Sequence, residues 1–198
     1  MKNLSEMTDE ELALAYADGN NKAFDLLLSR NQSKLFSYIL FVVRDREKAE
    51  DVFQETFVKV ISKLQQGRYA TTGKFGAWLV RIAHNVIMDS YRERRTEKIV
   101  EPADNNDLSN LGNDEVLDTN IECKYVNDQV MLDVKKIMNL LPTPQREVVY
   151  MRYYQQLSFK EIAECTNVSI NTALGRMRYA ILNMRRMARN HELQLELY

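Results

Sequence analysis

The chain has 198 residues with only 6 glycines and 3 prolines, a scarcity that disfavours a turn-rich β architecture. Its hydrophobic content of 45% and charged content of 28% are typical of a globular protein with one or two domains. The longest apolar run, residues 38–43, is far too short to span a membrane, and the acidic N-terminus has no apolar signal core, so neither membrane insertion nor secretion is expected.

Charge is segregated along the chain, although the formal net charge is only -1. Seven acidic residues and no basic ones lie between Lys98 and Lys124, whereas residues 170–190 carry five arginines and no acid. This pattern predicts one surface that suits a polyanion and another that repels it.

The first hundred residues predict a series of helices. Thr8 followed by Glu11 is a capping-box signature for a short first helix. An apolar stripe from Phe24 to Val42 then predicts either one long helix or a broken pair. Apolar residues at spacings of three and four predict two more helices, at about 46–65 and about 75–95.

Residues 100–119 predict a linker because they are rich in Asp and Asn and have no apolar period. The expected fold is therefore all-α, with two helical domains joined by a flexible acidic linker. The predicted segments are 1–98, 99–124 and 125–198. In the last of them, Pro142 should end one helix, with Thr143 as the N-cap of the next and Pro144 as its first residue.

Two short helices near the C-terminus predict a helix-turn-helix. Ser158 with Glu161 forms a second capping box, Asn167 can adopt the positive φ that the turn needs, and Ser169 can cap the second helix. Gly175 in mid-helix costs about 1 kcal/mol relative to Ala, which suggests the close approach of a phosphate or a base edge. The alternative is a solvated basic helix on a generic bundle.

Metal and catalytic motifs find little support in the sequence. Cys123, Cys165, His84 and His191 do not form the closely spaced pairs of a zinc site, so two free thiols in a reducing cytoplasm are the simpler interpretation. There is no glycine-rich phosphate loop and no nucleophile motif. We therefore expect no enzyme activity and no cofactor.

Several strings resemble one family of transcription factors. LPTPQREVVYMRYYQQLSFKEIAECTNVSINTALGRMRYAILNMRR resembles the fourth conserved region of bacterial extracytoplasmic-function (ECF) sigma factors. AEDVFQETFVKVISKL and GKFGAWLVRIAHNVIMDSYRERR resemble their second region, and GRMRYA resembles members from the Bacteroidetes lineage. One departure is Asn167, where the family usually has glycine. The resemblance implies a cytoplasmic, nucleoid-associated protein that binds core RNA polymerase, at its clamp helices and flap, and promoter DNA. It also implies an anti-sigma factor as a further partner.

The resemblance assigns residues to three surfaces. Contacts to the minus-thirty-five element are expected from Asn171, Thr172, Leu174, Gly175, Arg176, Arg178, Tyr179 and Arg185. Contacts to the minus-ten element are expected from Arg68, Tyr69, Thr71, Lys74, Arg81, Asn85 and Arg92. Polymerase contacts are expected from Asp51, Gln54, Glu55 and Phe57.

Each of these surfaces has a simpler alternative. The loop over residues 66–76 has the polar and aromatic groups that hold an extruded base, but its composition also fits an ordinary surface loop. Phe57 and Trp78 lie on apolar stripes and are more typical of core. The acidic linker suits either a path towards the polymerase active centre or a solubilising tether.

Two functions are compatible with a helix-turn-helix. The first is a sigma factor that directs polymerase to a two-part promoter. The second is a dimeric regulator that binds a palindromic operator independently of polymerase.

Overall fold

The computed structural model describes residues 3–70, 73–100 and 134–190. Every regular element in these ranges is helical, which confirms the all-α prediction. Thr71, Cys123 and His191 lie outside the described residues, as does nearly all of the predicted linker. Among the helices that can be described, none combines the length and the apolar character needed to cross a lipid bilayer.

The helix boundaries agree with the apolar periodicity of the sequence. A 3-10 turn at Leu4–Glu6 precedes α1 (Asp9–Ala17), α2 (Asn21–Val43), α3 (Arg46–Gln65), α4 (Phe75–Val100), α5 (residues 134–139), α6 (Thr143–Tyr153), α7 (Phe159–Thr166) and α8 (Ile170–Asn190). The second helix is continuous, which decides between the one-helix and two-helix alternatives. The fourth continues five residues beyond its predicted end near 95, and so enters the predicted linker.

Both predicted capping boxes are present. The Thr8 hydroxyl accepts a hydrogen bond from the Glu11 backbone N–H at 3.2 Å, and the Glu11 carboxylate accepts one from the Thr8 N–H at 2.8 Å. Ser158 and Glu161 make the same reciprocal pair, at 3.3 and 2.7 Å. Each cap is worth about 1 kcal/mol, because it satisfies backbone donors that the first helical turn leaves unpaired.

The predicted start of α6 is wrong by one residue. Pro142 is the N-cap and Thr143 is the first helical residue, so Pro144 occupies the second position. No side chain caps this helix. Pro142 has the extended backbone that an N-cap needs, with ψ at 142°, and the fixed φ of proline is compatible with either of the first two helical positions.

Helices α1 to α4 enclose an apolar core in the N-terminal half. Its largest fully buried side chains include Leu12, Leu27, Leu35, Ile39, Val60, Leu64 and Ile87. The rings of Phe36 and Phe53 meet edge to face at 5.6 Å, and those of Phe53 and Phe57 do so at 4.8 Å. A core of this kind makes α3 and α4 a firm support for the side chains on their outer faces.

Helices α6 to α8 form the C-terminal unit. Met151, Ile162, Ala173 and Ala180 are fully buried, so α7 and α8 are fixed against each other and against α6. The apolar side of α8, which includes Met177, faces this core. The opposite side of α8 is exposed to solvent.

The two helical units also pack against each other. Helix α4 lies along α7, and α2 contacts α6. The sequence predicted two domains on a flexible tether and no contact between them. Local sequence patterns could not have predicted this contact, because the residues that form it are far apart in the chain.

Candidate nucleic-acid interface

The turn between α7 and α8 has the geometry of a helix-turn-helix. Asn167 adopts the left-handed conformation, with φ 56° and ψ 42°, and closes α7. The backbone N–H of Val168 donates to the Ala163 carbonyl at 3.0 Å. The Ser169 hydroxyl then accepts from the Thr172 N–H at 3.1 Å, which caps α8 as predicted. The direction in which α8 leaves the turn is therefore fixed by local hydrogen bonds.

The outer face of α8 presents most of the residues predicted to contact the minus-thirty-five element. Asn171, Thr172, Leu174, Arg178, Tyr179 and Arg185 are exposed, while Gly175 and Arg176 are partly buried. Tyr179 is 62% exposed, a large value for an aromatic residue on a folded helix. Leu174 and Arg178 line a shallow apolar groove of about 410 Å³ beside α7. Cationic, amide and apolar groups together are the set that reads base edges in a major groove.

Gly175 has no steric partner within the described structure. A Cβ atom built on this residue would meet nothing within 4 Å. The glycine is therefore not required by packing inside the protein. The bare backbone at this position is available to a ligand that approaches the helix closely.

The loop before α4 is held by a carboxylate from α1. The Tyr69 hydroxyl donates to Glu10 at 2.8 Å, and the backbone N–H of Gly73 donates to the same oxygen at 2.8 Å. The Tyr69 ring packs edge to face on Trp78 at 4.7 Å. Burial, with the nearby Glu10 carboxylate adding to it, raises the pKa of Tyr69 well above its ordinary value.

The burial of Tyr69 argues against the contact with the minus-ten element that was predicted for it. Its side chain is 9% exposed, so the ring supports the loop from inside and is not presented to a base. Trp78 also belongs to this aromatic cluster, with Phe75 at 5.6 Å, as its apolar stripe predicts. Arg68 and Lys74 are exposed at the two ends of the loop.

One face of α4 carries the remaining residues predicted for the minus-ten element. Arg81, Asn85 and Arg92 are exposed, and Met88 between them is partly buried. Arg92 donates to Asp89 at 3.0 Å. The face is polar and largely basic, but part of it lies against the C-terminal unit.

The face of α3 predicted to bind polymerase is exposed. Asp51, Gln54 and Glu55 all lie at the surface, and Glu55 pairs with Lys59 at 2.7 Å. Phe57 instead packs inwards and is half-buried. Val58, beside these acids, is 66% exposed although it is apolar. It was not among the predicted contacts, and its position off the apolar stripe of α3 was the signal in the sequence that could have placed it at the surface.

A polar network joins the two helical units. The Tyr38 hydroxyl donates to Glu147 at 2.5 Å, and Nδ1 of His84 lies 2.6 Å from the same carboxylate oxygen. A carboxylate only accepts hydrogen bonds, so Nδ1 carries the hydrogen. Burial, reinforced by the Glu147 charge, raises the pKa of Tyr38 well above its ordinary value.

Arg146 lies next to this network. Its guanidinium donates to the Val42 carbonyl at 3.1 Å and stacks over the Phe41 ring at 5.6 Å. Burial, helped by repulsion from Arg44, lowers the pKa of Arg146 to about 10. These contacts place a charged residue of α6 inside the junction with α2.

These features define a class of protein. A capped helix-turn-helix with an acid-free, exposed second helix is a module that reads duplex DNA. Here it is combined with a second helical unit that has its own basic helix face and an exposed acid-amide face.

Two protein families match the chain. Residues 27–97 match the family described as Sigma-70 region 2, and residues 131–176 match Sigma-70, region 4. The chain therefore belongs to the ECF-type RNA polymerase sigma factors, non-enzymatic proteins that direct promoter-specific transcription initiation. Core RNA polymerase and promoter DNA are the partners that this family implies. A regulator that acts without polymerase does not account for the match to region 2.

Curated relatives agree with this assignment. RNA polymerase sigma-H factor of Pseudomonas aeruginosa is 27% identical over 176 residues, which cover 88% of this chain and 90% of the relative. ECF RNA polymerase sigma factor BldN of Streptomyces coelicolor is 30% identical over 149 residues, or 73% of this chain, but the match spans only 52% of BldN. Nothing in these relatives points to the Bacteroidetes lineage, so that expectation stays a prediction.

Solved structures show the same fold. The sigma factor RpoE in complex with the anti-sigma factor NepR from Bartonella quintana has a TM-score of 0.66 at 22% identity, covering 85% of this chain and 98% of that one. CnrH in complex with the cytosolic domain of CnrY has a TM-score of 0.62 at 24% identity, covering 92% and 97%. At this level of identity the likeness supports the fold alone.

Proposed function

We propose that the two helical units divide the promoter between them. Helix α8 enters the major groove of the minus-thirty-five element, with Arg178 reading a base and the other arginines of the helix contacting phosphates. The observation that carries this proposal is the exposed, acid-free outer face of α8 on a locally fixed turn. The predicted segments 1–98 and 125–198 thereby become the minus-ten and minus-thirty-five domains.

The N-terminal domain opens the minus-ten element. Arg81, Asn85 and Arg92 share one face of α4 that suits a single-stranded backbone. The loop over residues 66–76 receives an extruded base, with Arg68 and Lys74 as its exposed cations. Extrusion costs a few kcal/mol, which contacts in the loop offset.

Polymerase is bound through α3. Asp51, Gln54 and Glu55 present polar groups to the clamp helices, and exposed Val58, one turn after Gln54, adds an apolar contact at the C-terminal end of this face. The flap of polymerase contacts the C-terminal domain. The protein works in the bacterial cytoplasm, at the nucleoid.

An anti-sigma factor is a further partner of the protein. RpoE and CnrH, which share this fold, have been solved in complex with NepR and with the cytosolic domain of CnrY. The same class of partner would hold this protein away from polymerase.

A charge reversal tests the division of labour. Arg178→Glu should abolish minus-thirty-five binding by the holoenzyme and leave the affinity for core polymerase unchanged. Lys22→Glu is the matched control, because it makes the same charge change at an exposed site on α2 outside every proposed surface. Equal loss of DNA and polymerase binding in Arg178→Glu would contradict the proposal.

A further inference from the structure

Two arginines meet at the C-terminal end of α2. The Arg146 guanidinium of α6 donates through Nη2 to the Val42 carbonyl at 3.1 Å. The Tyr91 hydroxyl of α4 lies 3.5 Å from the same oxygen. Arg44, two residues after Val42, is exposed, and its side chain makes no ion pair and no hydrogen bond within residues 3–70, 73–100 and 134–190. Two guanidiniums and a phenol therefore surround one helix end.

Arg146 is buried with part of its hydrogen-bonding capacity unused. The residue is 3% exposed, and its buried Nε has no hydrogen-bond partner in the part of the chain that the structure describes. Burial, and then repulsion from Arg44, lowers the pKa of Arg146 to about 10, so the two charges are close enough to interact. The guanidinium nevertheless stays charged at neutral pH, and a buried charge without an anion is costly. A bound anion would remove this cost.

Arg44 has a backbone conformation that ordinary side chains rarely adopt. It closes α2 in the left-handed region, with φ 60° and ψ 20°. Glycine is the usual residue at such a position, because it has no Cβ to clash with the backbone. Strained residues of this kind are concentrated at binding and active sites. The strain therefore points to a use for the Arg44 side chain.

Capping of α2 accounts for only one of the two positive charges. The C-terminal end of a helix carries about half a negative charge, which Arg146 offsets through its bond to the helix carbonyl. The acids next to the pair in sequence are engaged elsewhere. Asp45 caps α3 through the Lys48 N–H, and Glu147 belongs to the buried network described above. The charge of Arg44 is left in excess.

We propose that Arg44, Arg146 and Tyr91 form a binding site for a phosphate dianion, either free phosphate or the terminal phosphate of a small molecule. Guanidiniums present directed N–H groups that match phosphate oxygens, and the phenol adds an O–H donor. One side of the site, Arg44, is exposed, whereas Arg146 is buried. A small anion fits such a site better than a duplex, whose phosphates are fixed to a bulky backbone. The inference goes beyond the proposed function and does not depend on it.

Calorimetric titration of the full chain with inorganic phosphate tests the site. Phosphate should bind at one site per chain with a Kd of about 1 mM or tighter, as expected for two or three charge-assisted hydrogen bonds. Sodium chloride at the same ionic strength should give no saturable heat. A phosphate titration that is indistinguishable from the chloride titration would overturn the proposal.

The variant Arg44→Gly separates binding from structure. Glycine relieves the positive φ, so the variant should be at least as stable as wild type in urea denaturation without phosphate. Its phosphate affinity should nevertheless fall about tenfold or more, as expected for the loss of a hydrogen bond to a charged group. Unchanged phosphate affinity in this variant would contradict the site, whatever its stability.

The hydroxyl of the site is tested by Tyr91→Phe. This variant removes one donor at nearly constant volume, and should weaken phosphate binding about two- to tenfold. An affinity equal to that of wild type would remove Tyr91 from the site.

The matched control is Arg46→Ala, which removes the same charge two residues away from Arg44. Arg46 is exposed and pairs with Glu50 at 3.1 Å. This variant should leave phosphate affinity unchanged. Equal losses in Arg44→Gly and Arg46→Ala would mean that phosphate responds to general positive charge, and would refute a defined site.

Competition identifies the source of the phosphate. A nucleoside 5′-monophosphate that displaces inorganic phosphate from wild type would support a small-molecule ligand, and no displacement by it would assign the site to free phosphate. Displacement by a short DNA duplex, but not by the monophosphate, would overturn the proposal in favour of a DNA backbone contact. Because no step of this test uses polymerase or a promoter, its failure would leave the proposed function untouched.

Discussion

The side chains of Tyr69 and Glu10 are 59 residues apart in sequence and meet at 2.8 Å. The same Glu10 oxygen accepts the backbone N–H of Gly73, so a single carboxylate of α1 holds both ends of a short loop segment. Helix α1 is itself held on α2, where Asn31 donates to Asp9 at 2.8 Å. The loop proposed to receive a base is therefore positioned by the first helix of the chain.

Removal of this carboxylate should impair promoter opening. Glu10→Ala leaves Tyr69 and Gly73 without their acceptor, so the fraction of melted promoter should fall several-fold, while polymerase affinity and minus-thirty-five binding stay unchanged. Permanganate reactivity of thymines in the minus-ten element measures the melting. Glu10→Gln keeps an acceptor oxygen and should retain most of the activity; equal loss in both variants would contradict the positioning role.

Gly175 separates protein stability from DNA binding. Gly175→Ala should stabilise the C-terminal unit by about 1 kcal/mol, because alanine is the better helix former and its Cβ meets no atom. The same methyl group should weaken binding to the minus-thirty-five element if DNA approaches this backbone. Urea denaturation and DNA titration of one protein preparation measure the two effects; unchanged DNA affinity would remove Gly175 from the interface.

Asn167 should tolerate glycine and not alanine. Its φ of 56° lies in the left-handed region, which costs a residue with an ordinary side chain about 1–2 kcal/mol. Asn167→Ala should therefore destabilise the protein by about 1 kcal/mol in urea denaturation, whereas Asn167→Gly should be nearly neutral. A neutral Asn167→Ala would indicate that the turn relaxes.

Local chemistry explains what the sequence could predict. Thr8 with Glu11, Ser158 with Glu161, and Asn167 act within a few residues of one another, and all three features are present in the structure. The start of α6 was misplaced because the Pro142–Thr143–Pro144 run offers two similar helix starts.

Long-range contacts explain what the sequence could not predict. Tyr38 belongs to an ordinary apolar run and Glu147 is one acid on a short helix, 109 residues away. No sequence pattern around either residue predicts that the two side chains meet. Tyr69 was assigned to a polar surface loop for the same reason: its partner, Glu10, comes from α1.

The contribution of the Glu161–Lys74 ion pair to the free energy of unfolding should decrease as the pH is lowered. Burial raises the pKa of Glu161, but the hydrogen bonds from Ser158 and the Lys74 charge outweigh it, so its pKa lies below the ordinary value. A lowered pKa contributes stability that is present above the unfolded pKa of about 4.3 and is lost as the pH falls through the folded value. Glu161→Gln keeps the capping box but not the charge.

The unfolding free energies of wild type and Glu161→Gln measure this contribution. Urea denaturation at about pH 6 should show wild type as the more stable protein. The difference should shrink towards zero as the pH falls below about 4. A difference that does not change with pH would mean that the Glu161 charge adds nothing to stability.

The chain is expected to direct core RNA polymerase to two-part promoters. The most direct test of this expectation is run-off transcription with the purified full chain, bacterial core polymerase and a library of genomic fragments. We expect transcripts that share two sequence elements upstream of their start sites. These transcripts should be absent without the protein and absent with Arg178→Glu. Start sites that are the same with and without the protein would contradict this expectation.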